Sequence, residues 1–276
     1  MINVADSFVG HVLNIYLARA TDGEVLNTKV ASGGAVTAIL NYALDEGLID
    51  GVVTAKRTNG LEGKAVVARS RKELLATVGN KWSIVPFASR IKTKIEENNL
   101  NQVAVVCLPC QAQFFGQMRD FPMLETDFGE RIEYIISLFC MGTFAFETFI
   151  NYLHMNHGIK GRDVRDIVLR GDVIEVHHPG GVLRLSIREI YRYLQVGCLV
   201  CTDYTGGWSD ISAGVVETKP GWTILIARNK KADELIKNAK KRGYIEVRDG
   251  SPFIGDVITG AREKLARSQK NMMCLF

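Results

Sequence analysis

Apolar side chains in the chain recur at two spacings, one typical of helices and one typical of strands. Residues 33–47 carry apolar side chains on a single helical face, which predicts a helix there. Ser32 precedes it as a predicted N-cap, and Gly47 stands where a helix can end. The apolar positions on this face are Val36, Ile39, Leu40, Ala43 and Leu44.

The same reading predicts elements along the rest of the chain. The predicted strands cover residues 51–55, 103–107, 132–138, 164–169, 172–177, 181–185, 210–216, 221–227 and 244–248. The predicted helices cover residues 71–78, 88–98, 110–119, 144–157, 230–242 and 254–270. We therefore expect a mixed α/β fold, in which a mixed sheet is flanked by helices. The second half is expected to be more antiparallel and to contain a cysteine-bearing loop at about 194–209.

Composition narrows the class of protein. The chain has 276 residues, of which 47% are hydrophobic and 23% charged, so it is long enough and apolar enough for a proper core. Lys and Arg number 34 and Asp and Glu 30, a net charge of +4. So balanced a charge, without a long basic run, does not indicate a nucleic-acid partner.

Neither a signal peptide nor a membrane span is predicted. The first residues lack a basic start and an apolar core. The longest nearly apolar stretch, 134–146, falls well short of the roughly 20 residues that span a bilayer. We expect a cytoplasmic protein, in which cysteines stay reduced.

Six cysteines then remain for structural, metal-binding or redox roles. Cys107 with Cys110, and Cys198 with Cys201, form two Cys-x-x-Cys pairs, and Cys140 lies between them. One four-thiolate site from distant segments is compatible with this spacing, using Cys198, Cys201 and two of the other three. Zinc is possible, although zinc ribbons place their pairs closer together. Cys274 in the tail is expected to be incidental, and several of the cysteines could simply be buried.

Two further segments are candidates for an anionic ligand. Ser32, Gly33 and Gly34 lead into the first predicted helix, and helix N-termini offer free N–H groups to phosphate. The segment 79–82 combines a turn, the cation Lys81 and an aromatic ring. Neither signal is specific alone, and no GxGxxG or Walker A sequence is present.

Taken in order, these segments resemble the beta-subunit family of coenzyme F420-reducing hydrogenase and F420-dependent formate dehydrogenase. The resemblance runs from about residue 16 to about residue 250. It begins with the segment YLARATDGEVLNTKVASGGAVTAILNYALDEGLIDGVV and closes with SDISAG and GWTILIAR. Between these lie VGNKWS, LPCQAQ, LFCMG and GCLVCTDY. Each motif alone is modest, whereas the ordered set is specific.

The resemblance implies a flavoprotein that holds FAD and one [4Fe-4S] cluster and exchanges hydride with coenzyme F420. By motif position, the cluster ligands would be Cys110, Cys140, Cys198 and Cys201. The residues around the flavin would be Ser32, Gly33, Gly34, Thr37, Asn80 and Lys81. Cys107 stands where the family need not have cysteine. Residues 1–160 would form a flavin-binding lobe and residues 161–276 a lobe with the Cys-x-x-Cys loop, with a soft boundary.

The implied role is electron transfer among the cluster, FAD and coenzyme F420. No side chain need act as a nucleophile, and Lys81 is a candidate for tuning the flavin. A single cluster must receive electrons, so the expected partners are other iron–sulfur subunits of a hydrogenase, formate dehydrogenase or heterodisulfide reductase complex. Two alternatives stay open: a ferredoxin-coupled reductase of the same superfamily with another acceptor, and a zinc-stabilised scaffold subunit without catalysis.

Overall fold

The computed structural model describes residues 8–28, 30–58, 62–79, 81–86, 88–121, 127–171 and 173–273. Its strands are β1 (Asn14–Ala20), β2 (Gly51–Arg57), β3 (Gly63–Ala68), β4 (Val103–Cys107), β5 (Ile132–Leu138), β6 (Asp166–Arg170), β7 (Val173–His178), β8 (Gly181–Ser186), β9 (Ile211–Val215), β10 (Thr223–Ala227) and β11 (Ile245–Asp249). Its helices are α1 (Gly23–Asn27), α2 (Ala35–Asp45), α3 (Arg71–Leu75), α4 (Ile91–Glu97), α5 (Pro109–Asp120), α6 (Phe146–His157), α7 (Ile187–Ile190), α8 (Val196–Leu199), α9 (Lys230–Lys241) and α10 (Ile254–Met273).

Within the described part of the chain, eight strands form the main sheet, in the order β11-β1-β10-β9-β5-β4-β2-β3. The four central strands β9, β5, β4 and β2 are parallel, whereas β10, β1 and β11 continue the sheet with antiparallel pairs on one side. On the other side β3 closes the sheet as an antiparallel partner of β2. This is the mixed sheet that the sequence predicts. Strands from both sides of residue 160 enter it, and the predicted division into lobes stays a prediction.

Helices cover both faces of the main sheet, because its strands carry apolar side chains on both faces. On β4, Val103 and Val105 pack with α4 and α5, while Ala104 packs in the cluster that includes α2 and α9. On β10, Ile224 and Ile226 pack in the cluster that includes α10. Each fully buried aliphatic side chain stabilises the fold by about 1.5–3 kcal/mol relative to exposure. Two helical layers thus enclose the sheet.

A second, antiparallel sheet has the order β6-β7-β8. Its inner side chains share a separate core with α6, α7 and the segment around Phe144. Hydrogen bonds at Trp82 and at Arg57 tie this unit to the first half of the chain. Phe144 N–H donates to the carbonyl of Trp82 at 3.1 Å, and the Trp82 indole donates to the carbonyl of Ile167 at 2.8 Å.

The predicted elements are confirmed in kind, and β4 and β5 also in their bounds. The predicted N-cap is wrong. Gly34 occupies that position of α2 with a φ of 70°, which is the left-handed conformation that glycine accepts readily. The Ser32 hydroxyl lies instead 2.7 Å from Thr223 Oγ1. Sequence reasoning assigned no element to α1, β1, β3, α7 or α8, and α8 is a short helix within the segment that was predicted to be a cysteine-bearing loop. Within the described residues, no helix combines the length and the apolar character needed to cross a membrane.

Candidate functional site

The parallel strands end together at one edge of the main sheet, which we call the carboxyl edge. It receives the ends of β2, β4, β5 and β9, and also of β1, since β1 and β9 both pair antiparallel with β10. In open α/β sheets, ligands bind outside the carboxyl ends of the strands. Cys110 follows β4 at this edge and Cys140 follows β5. The two cysteines therefore leave neighbouring strands on the same side.

Backbone hydrogen bonds bring the Cys-x-x-Cys loop to Cys140. Cys140 N–H donates to the carbonyl of Tyr204 at 2.9 Å, and Gln195 N–H donates to the carbonyl of Thr143 at 2.9 Å. The Thr143 hydroxyl lies 3.7 Å from the Cys198 Sγ. The loop is thus bonded at both ends to the segment that follows β5.

The thiols of Cys110 and Cys140 lie within electrostatic reach of other cysteines at this edge. Although Cys110 keeps an exposed surface, the protein around its thiol raises the pKa by desolvation, and the thiols of Cys201 and Cys198 raise it further. Burial raises the pKa of Cys140 to about 11; Lys264 opposes this rise, while Cys198 and Cys110 add to it. Each of these two thiols is thus affected by thiols from distant segments of the chain. The structure therefore brings the four predicted cluster residues together.

Cys107 differs from these four in its surroundings. It ends β4 and is buried in the core formed with α4 and α5. Burial raises the pKa of its thiol well above the ordinary value, with a smaller contribution from Cys110. Cys110 itself is exposed, and Cys140, Cys198 and Cys201 are partly exposed. Cys107 behaves as a packed core thiol, and Cys274 lies outside the described residues.

The donor set at the carboxyl edge consists of thiols. Soft thiolates suit zinc and iron–sulfur clusters rather than magnesium or calcium. In the ranges that the structure describes, no three His, Cys, Asp or Glu side chains converge closely enough to hold a single metal ion. Zinc and an iron–sulfur cluster are thus the two groups that this donor set suits.

The glycine-rich segment lies at the carboxyl edge, beside the end of β1. A Cβ on Gly33 would lie 2.9 Å from the carbonyl oxygens of Ala18 and Gly221, so only glycine fits without a shift of backbone. Gly33 N–H donates to Thr223 Oγ1 at 3.1 Å. Thr37 is partly exposed in the first turn of α2, where the N–H groups have no intrahelical acceptor. The helix N-terminus therefore remains a candidate for an anion.

Lys81 lies near a second cation at the end of β2. Its ammonium donates to the carbonyl of Thr77. Burial and the neighbouring Arg57 lower the pKa of Lys81 to about 8. Arg57 also contacts the Asp166 carboxylate at 3.5 Å. Two cations side by side, one of them partly buried, favour a negatively charged ligand. Asn80 lies outside the described residues.

Sequence reasoning missed the polar face of α10. Lys264, Arg267, Ser268 and Asn271 each donate a hydrogen bond to a carbonyl of Cys140 or of the Cys-x-x-Cys loop. Their spacing of three, four and seven residues places them on one side of a helix. The sequence shows this spacing, but it does not show which surface this side of the helix contacts.

Two family models match the chain. The model described as "Coenzyme F420 hydrogenase/dehydrogenase, beta subunit N-term" matches residues 15–92. The model for the C terminus of the same beta subunit matches residues 100–252. Together they cover both the glycine-rich segment and all four cysteines at the carboxyl edge.

Similar proteins support the same family assignment. The coenzyme F420 hydrogenase subunit beta of Methanococcus voltae is 31% identical, covering 92% of this chain and 90% of that protein. The F420-dependent formate dehydrogenase subunit beta of Methanocaldococcus jannaschii is 25% identical, over 85% of this chain and 62% of that one. A chain of the F420-reducing [NiFe] hydrogenase complex from Methanosarcina barkeri superimposes with a TM-score of 0.88 at 29% identity, over 98% of this chain and 94% of its own. The matched family models, the fold and these relatives agree, and the chain belongs to the coenzyme F420 hydrogenase/dehydrogenase beta subunit family.

Proposed function

We propose that this chain is an iron–sulfur flavoprotein subunit of an F420-dependent oxidoreductase complex, transferring electrons between one [4Fe-4S] cluster, FAD and coenzyme F420. The observation that carries the proposal is the meeting of four thiols from three chain segments at the carboxyl edge. The same edge carries the glycine-rich start of α2 and the Arg57–Lys81 pair.

Zinc and a cluster differ in how far apart they hold their thiolates. Around zinc, four sulfur atoms crowd within about 2.3 Å of one centre. In a four-iron cluster each thiolate binds a different iron, so the sulfur atoms stand further apart. Both groups suit a donor set of four thiols. We propose the cluster because the family to which the chain belongs is one of hydrogenase and dehydrogenase subunits, which carry out redox chemistry.

The cations at the carboxyl edge support an anionic cofactor there. FAD carries a pyrophosphate, and the start of α2 offers N–H groups of the kind that bind phosphate. Lys81 and Arg57 would place positive charge near the flavin and favour its negatively charged reduced form. The chemistry supplied by such cofactors is the exchange between single-electron transfer at a cluster and hydride transfer at a flavin. The chain's own residues would position the cofactors and provide their electrostatic surroundings.

The hydrogen bond between Phe144 and Trp82 supports a short path between the two candidate sites. Trp82 is adjacent to Lys81, and Phe144 closely follows Cys140 in the chain. The segments that would hold flavin and cluster are therefore neighbours. Named relatives are hydrogenase and formate dehydrogenase subunits, and we infer that electrons reach this chain from an iron–sulfur subunit of such a complex, or of a heterodisulfide reductase complex.

The first experiment is spectroscopic. The protein is purified without oxygen, its iron, sulfide, zinc and flavin are measured, and its absorption is recorded before and after reduced coenzyme F420 is added. We expect about four irons and one flavin per chain, with flavin bands that bleach on addition. A colourless zinc protein would overturn the proposal. Cofactor bands that do not change when reduced coenzyme F420 is added would indicate a reductase with another acceptor.

Cysteine variants test the ligand set against a control in the same chain. Cys140→Ala should abolish iron binding, because a cluster loses one of its four thiolates. Cys107→Ala removes a buried thiol outside the proposed set and should retain iron. Loss of iron from both variants, with unchanged circular dichroism, would contradict the assignment of Cys107 to the core.

A lysine variant tests the electrostatic role at the flavin. Lys81→Ala should retain the fold and change the flavin midpoint potential or the rate of reduction by F420. Normal flavin content together with unchanged turnover and potential would remove Lys81 from the proposed site.

A further inference from the structure

One side of the C-terminal helix α10 is directed at the backbone around the four thiols. The Lys264 ammonium donates to the carbonyl of Cys140 at 2.7 Å and to the carbonyl of Asp203 at 2.5 Å. It therefore joins the segment after β5 to the end of the Cys-x-x-Cys loop. The family model for the C terminus ends at residue 252, so this helix lies beyond the part of the chain that it matches.

Three more side chains of α10 hold the loop along its length. Arg267 Nη2 donates to the carbonyl of Cys198 at 3.1 Å. Ser268 Oγ donates to the carbonyl of Val200 at 2.7 Å, and Asn271 Nδ2 donates to the carbonyl of Leu199 at 2.9 Å. The carbonyls of three successive residues are thus bonded to one helix.

The hydrogen bonds that Lys264 and Arg267 make to this loop and to Cys140 go to carbonyl oxygens and not to carboxylates. Lys264 is only 2% exposed, and both of its hydrogen-bond acceptors are neutral carbonyls. The Arg267 guanidinium stacks on the Tyr191 ring at 4.9 Å. Its Nε and Nη1 atoms are buried without a hydrogen-bond partner among the described residues. Buried charge is costly unless an opposite charge lies nearby.

Thiolates that bind a cluster would supply opposite charge on this side of α10. The Lys264 ammonium is bonded to the backbone carbonyl of Cys140. Arg267 is bonded to the backbone of Cys198. Both cations thus approach the thiol group from α10.

We propose that Lys264 and Arg267 are the positive counter-charges of the proposed [4Fe-4S] cluster and raise its reduction potential. The proposal rests on the proposed function. Four thiolates around a cluster core of charge +2 leave a net charge of −2, which two cations balance. Reduction adds one electron, and nearby positive charge favours the more negative state.

The test is a potentiometric titration of the cluster, followed by electron paramagnetic resonance, in the purified anaerobic protein. Lys264→Met and Arg267→Met each remove one cation while keeping a long side chain. At a fixed potential, each should shift the reduced-to-oxidised ratio about tenfold toward the oxidised cluster, or about 59 mV for one electron. Iron content and circular dichroism are measured in parallel.

Two controls on the same helix separate charge from structure. Lys270→Met removes an exposed cation and should leave the ratio nearly unchanged, because solvent screens it. Ser268→Ala removes a loop hydrogen bond without changing charge and should also leave it nearly unchanged. A shift in Ser268→Ala as large as that in Arg267→Met would overturn the role of charge.

Each remaining outcome decides the question. Wild-type potentials in both Lys264→Met and Arg267→Met would overturn the inference while leaving the cluster itself intact. A folded Lys264→Met or Arg267→Met protein that loses iron, when both Ser268→Ala and Lys270→Met keep it, supports the inference. Should Lys264→Met fail to fold, the Arg267→Met titration decides. A wild-type protein without iron would instead reject the proposed function.

Discussion

The Asp210 carboxylate at the start of β9 joins four parts of the main sheet and its helices. Its Oδ2 accepts hydrogen bonds from Arg119 Nη1 at 2.7 Å and from Ile135 N–H at 2.7 Å. Its Oδ1 accepts hydrogen bonds from Arg119 Nη2 at 3.1 Å and from Asn229 Nδ2 at 2.7 Å. The side chain is 3% exposed, so this ion pair is buried on the acid's side.

Asp210→Asn should destabilise the protein by about 3–5 kcal/mol. An amide has one acceptor oxygen, so its NH₂ group faces two donors whichever way it is turned, and two hydrogen bonds are lost. The Arg119 guanidinium also loses its buried counter-charge. Asp120→Asn is the matched control, because Asp120 contacts the same arginine at 3.1 Å but is 46% exposed. An exposed pair of this kind contributes about 0–1 kcal/mol.

Urea unfolding followed by far-UV circular dichroism measures the free energy of unfolding of both variants. A loss in Asp210→Asn no greater than that in Asp120→Asn would refute the reasoning. The double variant Arg119→Met/Asp210→Asn should recover part of the loss, because no uncompensated buried charge remains.

Three further predictions use the same measurement. Gly33→Ala should cost about 1–3 kcal/mol, because its Cβ meets two backbone carbonyls, whereas Gly255→Ala, with nothing within 4 Å, should not destabilise. Burial and a neighbouring cation lower the pKa of Lys81 from 10.5 to about 8. The unfolded chain therefore binds more protons between these values, so stability of the flavin-free protein should rise there with pH, and Lys81→Met should lack this rise. Phe149→Ala should cost about 3–5 kcal/mol, since Phe149 is fully buried, and exposed Met155→Ala should cost little.

Local sequence patterns were sufficient for most elements. Val103–Cys107 and Ile132–Leu138 are largely apolar segments. They fit a central strand because helices cover both faces of the sheet there. The N-cap of α2 shows where such reasoning fails. Serine is a residue type that commonly caps helices, but the Ser32 hydroxyl contacts Thr223, a residue from a distant strand. Gly34 occupies the N-cap position instead. A local pattern does not contain that contact.

The candidate site divides in the same way. The Cys-x-x-Cys pairs, Cys140 and the glycine-rich helix start are visible in the chain by residue type and spacing. Their meeting at one edge follows from the strand order, and Cys107 departs from the group because it ends β4 within the core. The pairing of Lys81 with Arg57 depends on the same arrangement.

The sequence by itself determined the alternation of elements, the residues able to bind soft metals or phosphate, and the family resemblance. These depend on residue type, order and neighbours within a turn or two, which the chain carries directly. Only the tertiary structure decided which thiols meet, which one is buried, and that α10 holds the Cys-x-x-Cys loop with two buried cations. Those properties arise from contacts between residues far apart in the chain, which the packing of sheet and helices creates.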